Sequence, residues 1–440
     1  MRLPARAIAV AVAALSFAPQ RALANGRFPA ANQLVVSPTT PSKLVLRTTY
    51  GLAISNDAGG SWSWVCERSV GFAGIQDPPL VITASTHIVA GLQEGLSVSP
   101  DFGCSFAFAG GAEGRSRIVD TVRHAASTAS GSSEEVLALV SNLAGDAGRT
   151  NVIARSEEPF TAFDVLGVPL PSDVLPETLE VATTDARRIY ASGQRGTGDT
   201  SRAFLFASRD RGTTWVEHEI AVSGSEVAYV SAVDPKNADR VYLRTLGNEL
   251  SRLLVSDDGG ATFVEAFRST RPLLGFALSA SGDRVYVGSS AGLYSSDTSS
   301  FVFAQTAKFS VQCLTMDGDR LYACAAESNA GFILGRSLDQ GFTFTPLLKL
   351  AGLDGPLACP AGTTTRACEG EWPATRELLG GSNENDAGAD AAPRTPLNDD
   401  SSIEGGAGCA TNDGAKKALF APFMLFVFAV SRRIRNRREP

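Results

Sequence analysis

The sequence predicts an all-β fold, a seven-bladed β-propeller built from four-stranded antiparallel blades. An eight-residue pattern, Ser-x-Asp-x-Gly-x-Ser/Thr-Trp/Phe, occurs intact five times, beginning at Ser55, Ser99, Ser208, Ser256 and Ser337. Two degenerate copies begin at Ser156 and Ser295, and successive copies start 39 to 57 residues apart. A repeat period of roughly 40–50 residues is typical of propellers and other arrays. Seven copies therefore predict seven blades.

The residues around each copy predict four strands per repeat. Runs rich in apolar and β-branched residues, such as Arg240-Val-Tyr-Leu and Arg284-Val-Tyr-Val, come before each copy. Their alternation is typical of half-buried strands. A further strand follows the aromatic residue of the pattern, as in Trp215-Val-Glu-His-Glu-Ile. No segment between Phe28 and Leu348 has a helical period, so each pattern is expected to be the turn between the third and fourth strands.

The residue types of the pattern suit a tight turn. An Asp side chain can accept hydrogen bonds from backbone N–H groups two residues on, and Gly permits a positive φ. The Ser or Thr hydroxyl can satisfy another backbone group, while the aromatic ring fills the gap between neighbouring sheets. We assign a structural role to Ser55, Asp57, Gly59, Trp62, Ser99, Asp101, Gly103, Phe106, Ser208, Asp210, Gly212, Trp215, Ser256, Asp258, Gly260, Phe263, Ser337, Asp339, Gly341 and Phe344.

These turns resemble the BNR/Asp-box repeats of sialidases, sortilin ectodomains, oligoxyloglucan hydrolases and a photosystem II assembly factor. The resemblance covers about Gln33 to Leu348. It implies a propeller in which the boxes lie at the blade periphery, away from the ligand face. The aspartates of the boxes are therefore expected to be structural.

The first 24 residues have the features of an export signal. Arg2 and Arg6 precede a short apolar stretch, and Ala22-Leu23-Ala24 supplies the small residues of a cleavage site, so the mature chain is expected to begin at Asn25. The alternative is a buried N-terminal helix.

The C-terminus carries a second topological signal, over 409–440. Gly408 and Cys409 are followed by an apolar run and then by five arginines between Arg432 and Arg438. This order resembles the MYXO-CTERM sorting signals of myxobacterial surface proteins, which implies processing near Cys409 and display at the cell surface or outer membrane. The alternative is an anchor helix that stays in the membrane. Membrane contact is expected only through this segment, and the export and C-terminal sorting machineries are the implied partners.

Between these signals we expect a propeller over 28–350, a cysteine-containing cap over 351–379 and a flexible linker over 380–408. The linker is rich in Gly, Ala, Asp, Asn and Pro, and it has too few apolar residues to fold. Removing residues 1–24 and 410–440, which hold ten basic and two acidic residues, leaves a formal net charge of −15. Such an acidic chain is not expected to bind nucleic acid.

Six cysteines besides Cys409 suit an oxidising compartment. Cys313 and Cys324 lie equally far from the middle of a predicted hairpin, so they face each other across two strands and can form a disulfide. Cys359 and Cys368 are expected to close a short loop, and Cys66 and Cys104 remain in neighbouring repeats without an assigned pairing. The cysteine spacing does not support a zinc site, and no metal or cofactor is expected.

The preferred function is a non-catalytic binding or scaffold module for a protein or glycan ligand at the propeller funnel. Long glycine-rich loops, at Gly110 to Arg117 and Gly193 to Ser201, are where a rigid scaffold usually carries function. The alternative is a sialidase-like or glucanase-like hydrolase with paired carboxylates in the funnel. Its candidate acids are Asp77, Asp120, Glu180 and Asp234, and no spacing rule selects a pair among them. No Gly-x-Ser-x-Gly elbow or phosphate-binding glycine loop is present in the context that such motifs need.

Overall fold

In the computed structural model the chain forms seven consecutive sheets, each with four antiparallel strands in sequence order. The structure describes residues 27–380, except 73, 129–130, 145–147 and 223–225. The predicted fold class, a seven-bladed propeller, is confirmed. Blades one to four consist of β1 Ala31–Val36, β2 Leu44–Thr48, β3 Gly51–Ser55, β4 Ser63–Val65; β5 Leu80–Ile82, β6 Ile88–Leu92, β7 Gly95–Ser99, β8 Ala107–Phe108; β9 Ile118–Thr128, β10 Gly131–Leu143, β11 Arg149–Glu157, β12 Asp164–Leu170; β13 Leu175–Val181, β14 Ile189–Arg195, β15 Arg202–Ser208 and β16 Val216–Ile220.

The remaining elements follow the same order. Blades five to seven consist of β17 Val227–Val233, β18 Val241–Leu246, β19 Ser251–Ser256, β20 Val264–Ser269; β21 Leu273–Leu278, β22 Arg284–Ser289, β23 Gly292–Asp297, β24 Ala304–Ala307; β25 Val311–Asp317, β26 Arg320–Ala325, β27 Leu334–Ser337 and β28 Thr345–Leu348. A short strand, β29 Gly355–Pro356, comes after the last blade. The helices are α1 Glu67–Val70, α2 Glu327–Ala330 and α3 Trp372–Leu378, with 3₁₀ turns at Gly198–Thr200, Leu350–Gly352 and Thr364–Gly370.

The first strand of each blade lies at the centre of the ring. These inner strands contact one another in order, and β25 of the last blade contacts β1 of the first. The hydroxyl of Thr315 on β25 donates a hydrogen bond of 2.8 Å to the carbonyl oxygen of Leu34 on β1. The ring therefore closes by contact between its first and last blades, and the four strands β1 to β4 of blade one come from one continuous segment.

The two faces of the ring carry different connections. Because the strands of a blade are antiparallel, the turns between its first and second strands and between its third and fourth strands lie on one face, which we call the box face. The hairpins between second and third strands and the links between blades lie on the other, which we call the loop face. The segments 110–117 and 193–201 both belong to the loop face.

The middle strands of the blades are buried on both sides. All five residues of β3 are buried, as are all five of β6 and β7. The expectation of half-buried, alternating strands is wrong for these strands, because each blade is covered by a neighbour on both faces. Val45 and Ile54 of blade one, for example, share a core with Leu80 and Ile88 of blade two.

Each intact Ser-x-Asp-x-Gly turn lies between the third and fourth strands of its blade. In blade four, the Ser208 hydroxyl donates to Asp210 Oδ1 at 2.9 Å and accepts from the Gly212 N–H at 2.7 Å. Asp210 Oδ1 also accepts from the Thr214 N–H at 2.8 Å, and its Oδ2 accepts from the Thr214 hydroxyl at 2.6 Å. The aspartate thus bonds the residue four positions on, not two, and the Thr hydroxyl bonds the aspartate rather than the backbone. The Ser–Asp, Gly–Ser and backbone–Asp bonds recur in the turns of Ser55, Ser99, Ser256 and Ser337.

The indole rings of these turns bind the preceding blade. Trp215 Nε1 donates to the carbonyl oxygen of Val168 in blade three at 3.2 Å. Trp62 Nε1 donates to that of Leu347 in blade seven at 3.1 Å. Since Trp62 is 2% exposed, it fills the seam where the two ends of the ring meet.

The two degenerate copies also lie between third and fourth strands. Ser156 is paired with Val136, but its hydroxyl donates to the carbonyl oxygen of Glu157 instead of to a carboxylate. In blade six the strand register pairs Val285 with Ser296, the place that Leu44 and Ser55 occupy in blade one. The serine of this degenerate copy is therefore Ser296 rather than Ser295, and its distance to the start of the fourth strand matches that of the intact turns.

The segment after blade seven returns to the outer edges of blades one and two. Strand β29 pairs in parallel with β4, and the indole ring of Trp372 lies 5.6 Å from that of Trp64. The hydroxyl of Thr365, which is fully buried, donates to the carbonyl oxygen of Gly103 at 2.6 Å. The chain end is therefore packed across the seam of the ring.

Three disulfides connect the six described cysteines. Cys313 and Cys324 are bonded across β25 and β26, with Cα atoms 4.8 Å apart. The expected Cys359–Cys368 pairing is wrong: Cys368 is bonded to Cys66 and Cys359 to Cys104, each pair with Cα atoms 5.4 Å apart. Sequence proximity suggested a local loop, whereas the returning segment places each cysteine beside a different blade.

Several sequence features lie outside the described residues. These are the export signal with Ala24 and Asn25, the linker from 381 onward, and the terminal segment with Gly408 and Cys409. Among the residues that the structure does describe, no helix has both the length and the apolar character needed to cross a bilayer.

Candidate functional site

The central channel is lined by inner strands whose free edges are covered by side chains. Gln33 of β1 donates to the carbonyl oxygen of Leu80 and accepts from its N–H, both at 3.1 Å. Thr178 of β13 accepts from the N–H of Val230 at 2.7 Å. An inner strand is the edge of its sheet, so its unpaired backbone groups need partners from the neighbouring blade.

Asp120 of β9 has the same bridging role and carries charge as well. Its Oδ2 accepts from the N–H of Leu179 on β13 at 2.9 Å, and its Oδ1 accepts from the N–H of Thr121 at 2.8 Å. Burial raises the pKa of Asp120 to about 6, although these hydrogen bonds and the charge of Arg47 oppose the rise.

Glu180 follows Leu179 on β13 and lies within electrostatic range of Asp120. Burial raises the pKa of Glu180 to about 8, and the negative charge of Asp120 adds to the rise. At pH 7 Asp120 is therefore mostly ionised and Glu180 mostly protonated. Of the four acids named from the sequence, the structure brings these two together.

Glu177 lies nearer the loop face on the same inner strand, within charge range of Tyr229 in blade five. Its carboxylate accepts from Gln194 Nε2 at 3.2 Å, and the positive charge of Arg117 lies within range. Burial nevertheless raises the pKa of Glu177 to about 7. Arg117 and Gln194 belong to the two glycine-rich loops that the sequence singled out, so these loops meet the channel mouth.

Arg47 lies next to Asp120, on the blade-one side of the channel. Its Nε donates to Asn32 Oδ1 at 2.7 Å, and its Nη1 donates to the carbonyl oxygens of Asp77 and Pro78 at 3.1 and 2.9 Å. Burial lowers the pKa of Arg47 to about 10, against the charges of Asp77 and Asp120. The arginine thus joins blade one to blade two while its charge faces the acids.

The two other acids named from the sequence have local partners. Asp77 forms an ion pair of 2.8 Å with Arg27; burial opposes its ionisation, but hydrogen bonds from Arg27 and Asn32 lower its pKa overall. Asp234 Oδ1 accepts from the N–H groups of Lys236 and Asn237 at 2.8 and 3.2 Å. Asp234 therefore closes a turn on the box face and takes no part in the channel.

The channel wall changes character in blades five to seven. Arg244 of β18 repeats the arrangement of Arg47: its Nε donates to Ser231 Oγ at 2.9 Å and its Nη1 to the carbonyl oxygens of Leu273 and Leu274 at 2.9 and 2.5 Å. Beside it a cavity of about 330 Å³ opens between the inner strands. Its lining includes Ser231, Phe276, Leu278, Leu314 and Met316.

Sequence reasoning missed both arginines, together with Glu177 and Tyr229. A signal was available, because Arg47 and Arg244 each stand three residues after the first residue of a second strand, in repeats one and five. Alignment of the repeats strand by strand would have found them.

The box aspartates, by contrast, lie beyond the ends of the third strands, away from the channel. No group of three or more His, Cys, Asp or Glu side chains that could hold a metal occurs in the described part of the chain.

Comparison with known proteins gives likenesses of fold only. No family model and no curated protein matches the sequence. The chain is similar to a GH74 enzyme from Niastella koreensis, at 15% identity over 72% of this chain and 71% of that one, with a TM-score of 0.31. It is similar to a GH74 xyloglucanase from Xanthomonas campestris, at 16% identity over 71% and 64%, with a TM-score of 0.35.

A puromycin-hydrolyzing peptidase from Mycobacterium tuberculosis is similar at 12% identity, over 72% of this chain and 53% of that one, with a TM-score of 0.48. The chain therefore spans about half to two thirds of the length of the peptidase and the xyloglucanase. Likenesses at this level give no basis for transferring an activity. The chain itself is a seven-bladed propeller with three disulfides, and these are consistent with an exported protein.

Proposed function

We propose that the chain is an exported propeller that acts as a non-catalytic binding or scaffold module for a protein or glycan ligand. The ligand site is the loop-face mouth of the channel, where Arg117, Glu177 and Gln194 present charged and amide groups. A rigid ring that holds adaptable loops at one opening suits recognition.

The observation that carries this proposal is the structural role of Asp120, whose carboxylate is used in hydrogen bonds to the backbone. Both of its carboxylate oxygens accept backbone N–H groups, and one of these bonds holds blade three to blade four. Gln33 and Thr178 make the same kind of bridge in other blades without an acid. The role of Asp120 is thus that of a bridge between inner strands, which needs no catalysis to explain it.

A glycan array and a pull-down from envelope extracts, both with the purified mature chain, test the proposal. We expect a ligand whose binding is lost in Arg117→Ala combined with Gln194→Ala. Asp319→Ala, an exposed substitution in the turn between β25 and β26 on the box face, is the control and should bind as the wild type does. A ligand that binds all three proteins equally would contradict the loop-face site.

The second candidate, a glycoside hydrolase, has one observation in its favour. Glu180 has a raised pKa beside the ionised Asp120, and a protonated carboxyl next to a carboxylate is the pairing that acid-assisted glycoside cleavage uses. A panel of fluorogenic glycosides, including sialosides and β-glucans, separates the two functions. Turnover that disappears in Glu180→Gln would replace the binding proposal by this one.

We also propose that the mature chain is displayed at the cell surface after processing near Cys409. The motivation is the order of Gly408, Cys409, apolar run and arginines in the sequence. Intact-mass measurement of the surface protein tests it. A mass that still includes Arg432 to Pro440 would instead indicate a retained anchor.

A further inference from the structure

Arg244 is a half-buried arginine that no described acid contacts directly. Burial lowers the pKa of its guanidinium to about 10, and among the described residues Tyr229 opposes this. Arg47, its counterpart in blade one, has Asp77 and Asp120 nearby. Among the described residues no Asp or Glu forms an ion pair with Arg244. A charge removed from water is normally paired, so this one lacks the anion that its position calls for.

The hydrogen bonds of Arg244 leave one side of the guanidinium open. Nε is taken by Ser231, and Nη1 by the carbonyl oxygens of Leu273 and Leu274. These bonds fix the plane of the group, and Nη2 has no hydrogen-bond partner in the portion of the chain that the structure describes. A fixed guanidinium with a free amino group is prepared to bind an anionic oxygen.

Tyr229 supplies a second donor beside it. The tyrosine is half-buried on β17. Burial and the nearby charge of Glu177 raise the pKa of its hydroxyl above the ordinary value, so the group stays protonated at any physiological pH. Within the described residues its hydroxyl makes no hydrogen bond. Two residues along the same strand, Ser231 anchors Arg244, so the free hydroxyl and the free amino group belong to one corner of the channel.

The cavity in blades five to seven meets this corner at Ser231, while Arg244 and Tyr229 are not part of its lining. Ser231, which accepts the bond from Arg244 Nε, is also part of the cavity wall. Beyond it the wall includes the apolar side chains of Phe276, Leu278 and Met316. A volume of about 330 Å³ lies at the lower end of the range for small-molecule sites, which is roughly 300–1,000 Å³.

We propose that this corner and cavity form a binding site for a small monocarboxylate with an apolar body. The carboxylate lies between Arg244 and Tyr229, and the apolar body occupies the cavity lined by Phe276, Leu278 and Met316. One guanidinium balances one negative charge, and the two free donors match the two oxygens of a carboxylate. A phosphate dianion would leave a second charge unbalanced beside an apolar wall. This site goes beyond the protein or glycan ligand proposed for the loop-face mouth.

The test uses octanoate as the probe and 1-octanol as its neutral match, with the mature protein in isothermal titration calorimetry at pH 7. We expect octanoate to bind with a stoichiometry of one. The affinity for 1-octanol should be lower by about tenfold or more, because it lacks the charge that pairs with Arg244. Arg244→Met should lower the octanoate affinity about tenfold or more. Tyr229→Phe, which removes only the hydroxyl, should lower it severalfold.

Arg268→Met is the matched control. Arg268 belongs to the outer strand β20 of the same blade and is exposed, with an ion pair to Glu265, so its loss should leave octanoate binding unchanged. Thermal unfolding of each variant checks its fold, and Tyr229→Phe remains informative if Arg244→Met loosens the contact between blades five and six.

Three results would overturn the proposal. They are octanoate and 1-octanol binding with equal affinity, octanoate binding that survives both channel substitutions, and octyl phosphate binding more tightly than octanoate. Failure of the loop-face proposal is separate, because Arg117 and Gln194 are not part of this site and their substitution should not change octanoate binding.

Discussion

Arg211 of blade four donates from Nη2 to both carboxylate oxygens of Glu135 in blade three, each at 2.5 Å. Arg211 is part of the turn that begins at Ser208, and the Glu135 side chain is 3% exposed. Arg155 completes the group with an ion pair of 3.1 Å to the same carboxylate. The buried acid of blade three is therefore held both by an arginine of its own blade and by the turn of the next blade.

Glu135→Gln should destabilise the protein strongly. The substitution leaves Arg211 and Arg155 without their common carboxylate, and breaking a buried ion pair from one side costs about 3–5 kcal/mol. Urea denaturation at pH 7 gives the change in the free energy of unfolding. Glu219→Gln, in an exposed pair with Arg202, is the control and should cost less than about 1 kcal/mol. Equal losses in the two variants would contradict a structural role for the inter-blade pair.

The disulfide between Cys66 and Cys368 should contribute more stability than the one between Cys313 and Cys324. The first closes a loop with a sequence separation of 302 residues and the second one of 11. With the Cys104–Cys359 bond intact, the first disulfide closes a remaining loop of roughly 50 residues, so the chain-entropy model gives about 4 kcal/mol for it and about 3 kcal/mol for the second. We expect the Cys66→Ala, Cys368→Ala double variant to unfold at a lower temperature than the Cys313→Ala, Cys324→Ala variant. It should also be cleaved earlier by trypsin within 351–379; the reverse order would show that the cap does not close the ring.

The fold could be predicted because its information is local and repeated. A turn such as Ser55 to Trp62 needs particular residues at particular positions, and it recurs intact in five blades and in degenerate form in the other two, so counting turns counts blades. Cys313 and Cys324 could be paired for the same reason, since both lie in one hairpin. The pairing of Cys359 with Cys104 could not be found, because it depends on where the segment after blade seven lies against blade two.

Prediction of the candidate site in the channel from the sequence meets the same limit. Asp120 and Glu180 were among the acids named from the sequence, but their proximity results from the contact of two inner strands 60 residues apart in the chain. Arg244 was not named, because an arginine in a strand is ordinary until its neighbours are known to lack an acid. The residues of the repeat determine each turn locally, whereas the candidate site depends on residues that differ from one repeat to the next.

Acidification below pH 4 should weaken the turns between the third and fourth strands. Hydrogen bonds from the N–H and hydroxyl of Thr262 and from Ser256 lower the pKa of Asp258 to about 2, and similar bonds do the same for Asp57 and Asp339. A folded pKa below the unfolded value adds stability above the unfolded pKa, which is lost as the pH falls through the folded value. The melting temperature should therefore fall between pH 4 and pH 2.

Asp258→Asn tests this at one turn. The amide can still accept from the Thr262 N–H, but its NH₂ group cannot accept from the Thr262 hydroxyl as Asp258 Oδ2 does. We expect a lower melting temperature than the wild type at pH 7 and a shallower fall toward pH 2. A variant that keeps the full acid dependence would show that Asp258 does not contribute to it.

The channel acids should act in the opposite direction at higher pH. Burial raises the pKa of Asp120 to about 6, of Glu177 to about 7 and of Glu180 to about 8. An acid whose folded pKa lies above its unfolded value keeps its proton longer in the folded state, so the free energy of unfolding falls as the pH rises from about 4.5 to 8.

Glu180→Gln removes the most shifted of these groups without changing its shape. The gain in the free energy of unfolding over the wild type should be about 1–2 kcal/mol larger at pH 8 than at pH 5, less than the full shift implies because the Glu180 side chain is partly exposed. Denaturant unfolding of the wild type and the variant across this range measures the difference. A wild-type slope that persists in Glu180→Gln would show that Glu180 is not the group that resists ionisation.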